Sequence, residues 1–286
     1  MQPTPLERAP AAVAGGREVW LKREDTHELG AFKWRGALPT LERWRSDVVT
    51  ASTGNHGAAT AWAARRLGLR ATVFVPRGAA AAKLGLLERF GADVRRVGAD
   101  LDEAKEAARA FADERGLPFF EDGAEPAQYE GYEAVGREIA AELEPDAVVV
   151  PVGNGALLIG IGRALTAGAR RVGVAAEAAP VMAESWHAGR VVESDRSDTI
   201  ADGLAVRVAI PQAVDALRET ADEMLLVSEL ELMRAVAAYH RAGIRAEAAA
   251  AAPLAALPRV AADGPIVVIV TGRNIDDALL ARWPAA

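Results

Sequence analysis

The stretch Ala147-Val148-Val149-Val150-Pro151-Val152-Gly153-Asn154-Gly155-Ala156-Leu157-Leu158 decides the fold. An apolar, Val-rich run passes through two glycines into a segment of good helix formers, the pattern of a strand feeding a helix. The run lacks polar alternation, so it suits a strand covered on both faces, as in parallel sheets. The same rhythm repeats outward in both directions. Strands are expected at Val48–Ser52, Ala71–Val75, Val94–Val97, Ala147–Val152, Val172–Ala175, Met224–Val227 and Ile266–Val270. Between them, Asn55–Leu67, Lys83–Phe90, Leu101–Arg115, Gly131–Leu143, Ala156–Ala167, Glu229–Arg241 and Ala248–Leu257 carry apolar residues at helical spacing. Gly68, Gly91, Gly116 and Gly243 stand where left-handed residues end helices. The Ala-rich tracts 79–82 and 248–252 read as tight turn and helix, because Ala is the best helix former. The fold class is α/β, built of βα units on a mostly parallel sheet.

Composition narrows the function. The 286 residues, 51% of them hydrophobic, fill one or two cores, and a net charge of −7 argues against nucleic acid as the main partner. The absence of Cys excludes disulfide scaffolds, thiolate metal sites and cysteine nucleophiles. No apolar stretch reaches membrane-span length and the N-terminus has no secretory pattern, so a cytoplasmic protein is expected. His27, His56, His187 and His240 are too scattered for a metal site by spacing. Lysine is scarce: Lys22, Lys33, Lys83 and Lys105 are the whole supply.

Four motifs carry chemistry. In Leu29-Gly30-Ala31-Phe32-Lys33-Trp34-Arg35-Gly36 a lysine lies between two aromatics, and an apolar setting favours the neutral amine that attacks carbonyls. Lys22 lies instead at a charged strand end, and Lys83 and Lys105 lie on polar helices. Ser52-Thr53-Gly54-Asn55-His56-Gly57 joins a strand to a helix with more polar groups than capping requires, and its N–H groups could grip a carboxylate. Gly153-Asn154-Gly155-Ala156-Leu157 opens a helix and could close around a phosphate. It lacks both the dinucleotide and the ATP-loop glycine spacing, so a phosphomonoester is the better ligand. Val270-Thr271-Gly272-Arg273-Asn274 ends a buried run in a hydroxyl. The last three motifs follow strands, where ligands of open α/β sheets sit. Phosphate loop, carboxylate grip, amine and neutral hydroxyl together meet the needs of pyridoxal phosphate acting on an amino acid.

With these residues in view, the chain resembles the fold-type II pyridoxal-phosphate enzymes, in the branch of threonine/serine dehydratases (ammonia-lyases) and serine racemases. Residues 29–36 resemble the family's G-S-F-K-x-R-G signature, 52–57 its S-x-G-N-H loop, 153–157 its phosphate loop and 271–274 its S-G-G-N segment. Thr199–Val206 resembles T-I-A-D-G-x-A-V, and Glu247–Leu254 resembles E-P-x-G-A-x-x-L. The resemblance implies two open, mostly parallel twisted sheets, with a small domain at 47–128 inserted into a large one made of 1–46 and 129–286. It implies that Lys33 forms the Schiff base, with Phe32 beside the cofactor ring and Asn55 on its ring oxygen. Gly153, Asn154, Gly155, Ala156 and Leu157 would hold its phosphate, Thr271 its ring nitrogen, and Glu247 would also line the cofactor. Ser52, Thr53, Gly54, Asn55, His56 and Tyr132 are expected on the substrate. A homodimer and a small amino-acid substrate are expected as well.

The departures are Ala31 for Ser, Asn154 and Ala156 within the glycine run, Arg273 for Gly, and Gly131-Tyr132-Glu133-Ala134 for G-Q-G-T. Of the family's two cation-binding acids, Glu177 fits the first and Ala183 fills the second, so no metal is expected. The implied reaction is β-elimination from an L-threonine- or L-serine-type substrate to a 2-oxo acid and ammonia, with Lys33 as base. Thr53 stands where racemases carry an opposite-face acid/base. The alternatives are a threonine synthase-like replacement enzyme, a serine racemase, and a catalytically silent cofactor-binding protein.

Overall fold

The computed structural model describes residues 2–165, 168–194 and 197–283. The chain begins with β1 (Leu6–Arg8), α1 (Ala11–Ala14) and β2 (Val19–Arg23). Next come α2 (Trp34–Trp44), β3 (Val48–Ala51), α3 (Asn55–Arg66), β4 (Ala71–Val75), α4 (Ala81–Arg89), β5 (Asp93–Arg96) and α5 (Leu101–Arg115). The long α6 (Pro126–Glu142) leads into β6 (Ala147–Pro151), α7 (Ala156–Ala164), β7 (Arg170–Ala176), α8 (Val181–Ala188), α9 (Pro211–Thr220) and β8 (Glu223–Val227). The chain closes with α10 (Glu229–Arg241), α11 (Ala248–Ala256), β9 (Ile266–Val270) and α12 (Asp277–Arg282). The helix expected over 156–167 stops at Ala164, and residues 166 and 167 lie outside the described residues.

Two compact units result, one being Lys33–Gly131 and the other the chain up to Phe32 and from Tyr132 onward. The boundary expected near residue 46 thus falls before α2, which packs on α3 through the Trp34 and Trp62 rings, 6.2 Å apart.

The unit Lys33–Gly131 holds a parallel three-stranded sheet, β3-β4-β5. Helix α5 covers it with Ala104, Ala108 and Ala112, spaced one turn apart and packed with Val49, Ala51 and Phe74. Small side chains let the helix backbone approach the strands closely. Asp100 starts this helix by accepting from the Asp102 and Glu103 N–H groups, and Gly116 at φ 61° stops it.

The other unit holds six strands in the order β1-β2-β9-β6-β7-β8, all parallel except β1, which runs antiparallel to β2. All five residues of β9 and of β6 are buried, as their unbroken apolar runs predicted. Each such Val or Ile contributes roughly 1.5–3 kcal/mol of burial. The Ala-rich tract 248–252 is the fully buried first part of α11. The order matters for function. Strands β6, β7 and β8 proceed to one side, then β9 returns to the other side of β6, so the direction of winding reverses between β6 and β9. Ligands of open α/β sheets bind outside the strand ends at such a switch. The segments leaving β6 and β9 there are Gly153–Leu157 and Thr271–Asn274.

Candidate active site

In the larger unit the segment after β9 braces the turn that precedes Lys33. The Phe32 N–H donates to the Thr271 carbonyl at 3.0 Å, and the Arg273 N–H donates to the Gly30 carbonyl at 2.8 Å. The Asn274 side-chain amide donates to the Leu29 carbonyl at 2.9 Å. Gly30 is required here: its φ is +72°, and a Cβ would lie 2.5 Å from Asn274 Oδ1. At Gly272 the Glu247 carboxylate lies close, 2.5 Å from where a Cβ would stand, and the Glu247 N–H donates to the Gly272 carbonyl at 3.0 Å. The motifs at 29–32, 247 and 271–274 are therefore one structure, and Thr271 is buried within it. Arg273, where the family has Gly, turns its side chain toward the His27 carbonyl.

The Gly153–Leu157 loop opens α7. A Cβ on Gly153 would collide with the Gly203 carbonyl, and one on Gly155, at φ +91°, with the Leu217 side chain. Asn154 Oδ1 accepts from the Ala156 N–H at 3.2 Å. Intrahelical bonding begins with Ile159 to Gly155, so the Leu157 and Leu158 N–H groups stand at the helix start. Such a bare backbone turn at a helix N-terminus suits a phosphate. Phe32 packs its ring 5.1 Å from Tyr132, which was expected on the substrate and is fully buried.

In the unit Lys33–Gly131, the Lys33 amine meets both oxygens of Asp122, at 2.8 and 2.6 Å. This corrects the expectation of an apolar setting: the partner of the amine is a carboxylate. His56, on the first turn of α3, faces the same carboxylate at 3.4 Å through Nδ1. Its other nitrogen donates to the Phe120 carbonyl at 3.2 Å, which fixes the proton of the neutral ring on Nε2. Gln128 donates to Asp122 at 3.3 Å and accepts from the Gly123 N–H at 2.8 Å. Burial by itself would raise the Asp122 carboxyl, but the Lys33 and His56 charges and the Lys33 and Gln128 hydrogen bonds outweigh it and hold the group well below the usual carboxylate range. Burial pushes the His56 imidazole down, with Asp122 opposing and Lys33 adding to the effect.

Asn55 is the first residue of α3 rather than its cap, which is Gly54. Ser52 Oγ accepts from the Gly54 N–H at 3.1 Å, and Thr53 is half-buried in the same turn. Lysine burial alone would have misled. Lys22 is 0% exposed and pairs with Glu138 at 2.6 Å, whereas Lys33 is 14% exposed. Asp122 and Gln128 were absent from the expected site, because 89 residues separate Asp122 from Lys33 and no local spacing joins them. Glu177 follows β7 and is exposed, and among the described residues no group of three or more His, Cys, Asp or Glu is placed to hold a metal ion.

L-threonine ammonia-lyase of Geobacter sulfurreducens is 36% identical over 91% of this chain and 68% of its own length. The enzyme of the same name from Thermotoga maritima is 33% identical over 94% of this chain and 70% of its own. Among solved structures, the processed threonine deaminase isoform 2 of Solanum lycopersicum superposes with a TM-score of 0.91 at 28% identity, covering 98% of this chain and 86% of that one. Maize serine racemase superposes at 0.90 and 26% identity, covering 98% and 90%. Residues 1–272 match the family described as pyridoxal-phosphate dependent enzyme, and the chain belongs to that family.

Proposed function

We propose that the protein is a pyridoxal-phosphate-dependent ammonia-lyase that converts a β-hydroxy amino acid of the L-threonine or L-serine type to a 2-oxo acid and ammonia. Lys33 carries the cofactor. The turn Gly153, Asn154, Gly155, Ala156 and Leu157 holds its phosphate, Thr271 and Asn55 hold its ring, and Phe32 and Glu247 flank it. Bound there, the cofactor supplies an electron sink for the charge that develops at the substrate Cα. Lys33 removes the Cα proton as general base. The Ser52–His56 turn orients the substrate carboxylate at the start of α3, where backbone N–H groups point outward. A hydroxyl at Thr271 does not stabilise a protonated ring nitrogen as a carboxylate would, which favours rapid loss of the β-substituent over a long-lived carbanion.

The observation that carries this reading is the Phe32 N–H bond to the Thr271 carbonyl, because it fixes the residue before Lys33 against the strand end beside the phosphate turn. The switch point between β6 and β9 supports it from topology. Incubation with L-threonine and L-serine should release 2-oxo acid, and the purified protein with cofactor should show a visible imine absorbance that Lys33→Ala abolishes. Full turnover by Lys33→Ala would overturn the reading. We further propose a cytoplasmic homodimer, in keeping with a metabolic lyase acting on a small amino acid, and light scattering after gel filtration tests the dimer.

A further inference from the structure

We propose that Asp122 is the positioning residue of Lys33 and that Lys33 and His56 share a single proton across it. The inference rests on the reading of Lys33 as the reactive amine, and it assigns work to two side chains that reading leaves idle. Three features carry it. Asp122 binds Lys33 through both oxygens, which fixes the direction of the amine as well as its charge. Asp122 is itself fixed, since Gln128, nearly fully buried on α6, ties it to the Gly123 backbone. His56 presents Nδ1 to the same carboxylate, while Nε2–H is committed to the Phe120 carbonyl, which also accepts from Thr50 at 2.7 Å.

Nδ1 is thus the one lone pair on the His56 ring, and it looks at a carboxylate that has lost its cation whenever Lys33 is neutral. The balance is simple. Lys33 ammonium with neutral His56 becomes Lys33 amine with His56 imidazolium, one proton moves, and the charge beside Asp122 stays at one positive against one negative. When Lys33 is neutral and His56 is neutral as well, Lys33 can take the proton from substrate, and Asp122 then stabilises the ammonium again. Few other charges face the group. From α5, Lys105 approaches Glu121 at 4.0 Å and Arg109 binds it at 2.9 Å, so Glu121 is already compensated. Burial, with Glu121 adding, raises the Glu125 carboxyl at the start of α6.

The test uses the whole 286-residue chain and needs no turnover. The four histidine rings are titrated by NMR in the wild type, Lys33→Met, Asp122→Asn and Asp122→Glu, with His56→Gln to assign the resonance. Loss of the Lys33 charge should move the His56 midpoint up. Loss of the Asp122 charge should move it down, and Asp122→Glu should restore it toward the wild type even if Asp122→Asn folds poorly. An amine-selective reagent, read by peptide mapping, should label Lys33 about fivefold faster in Asp122→Asn, because the amine loses its counter-ion. A His56 midpoint that is the same in all these proteins overturns the proposal. A protein that shows the coupling but no imine absorbance with pyridoxal phosphate would instead break the functional reading and leave the coupling intact.

Discussion

Lys22 and Lys33 are the same side chain in opposite circumstances. Lys22, in the larger unit, is wholly buried on β2, with Glu138 and the Thr4 carbonyl fixed around its amine at 2.6 and 2.5 Å. Lys33, in the other unit, keeps 14% of its surface in solvent, and its partner Asp122 keeps 32%. In the first pair the ammonium is sealed from solvent, and the pair ties β2 to α6. The second is tightly paired yet reachable, and a reacting molecule can displace the carboxylate from it. Burial depth by itself marks a structural lysine. A strong pair left partly open marks one that can react.

The largest effect should separate the two directly. Lys33→Met should lower kcat/KM for L-threonine by about a thousandfold or more, because the lost interaction acts in the reaction. Comparable activity in that variant would erase the contrast. Lys22→Met should do the reverse: removing one partner of a buried pair strands the other charge and costs about 3–5 kcal/mol, readable by urea unfolding. Gly131→Ala should fall between. Its Cβ would meet the Arg35 carbonyl, two residues after Lys33, so about 1–3 kcal/mol of overpacking should accompany a misplaced amine and a lower kcat.

The smallest effects are in pH. Asp122 titrates lower in the folded chain than in the unfolded one, so its stabilisation is present above the unfolded value of about 4 and fades as pH falls through its folded value. The stability gap between wild type and Asp122→Asn should therefore narrow in acid. His56 is held neutral by burial, so the unfolded chain binds a proton the folded chain refuses once pH drops below about 6.5. His56→Gln should flatten that part of the stability profile.

Much of this was legible in the sequence wherever the reason was local. The Val-rich strands, the polyalanine of α11 and the glycine stops at 68, 91, 116 and 243, all at positive φ, depend on neighbours a few residues away. What escaped was non-local. The charged strand end at Lys22 and Arg23 is visible, but its partners Glu138, Glu7 and Asp25, which let β2 be buried, are not. The helix α2 contains Gly36 and Pro39, residues that weaken the helical signal over this stretch. Gly131 was read as the start of a helix that begins five residues earlier at Pro126; it is glycine because the Arg35 backbone runs against it. The site showed the same division. Lys33, Asn55, the 153–157 turn and Thr271 stand in recognisable motifs, while Asp122 joins Lys33 only once the chain has folded.

The antiparallel strand β1 has a practical corollary for anyone shortening this protein. It shields the free rim of β2, and the residues just before it do further work: Thr4 supplies a carbonyl to Lys22 and a hydroxyl to Glu24 at 2.6 Å, and Pro5 accepts from the Arg23 amide. Cutting the leader off at Arg8 would expose an unpaired ladder and a starved ammonium together, inviting edge-to-edge self-association. An affinity tag joined ahead of Thr4 leaves both intact.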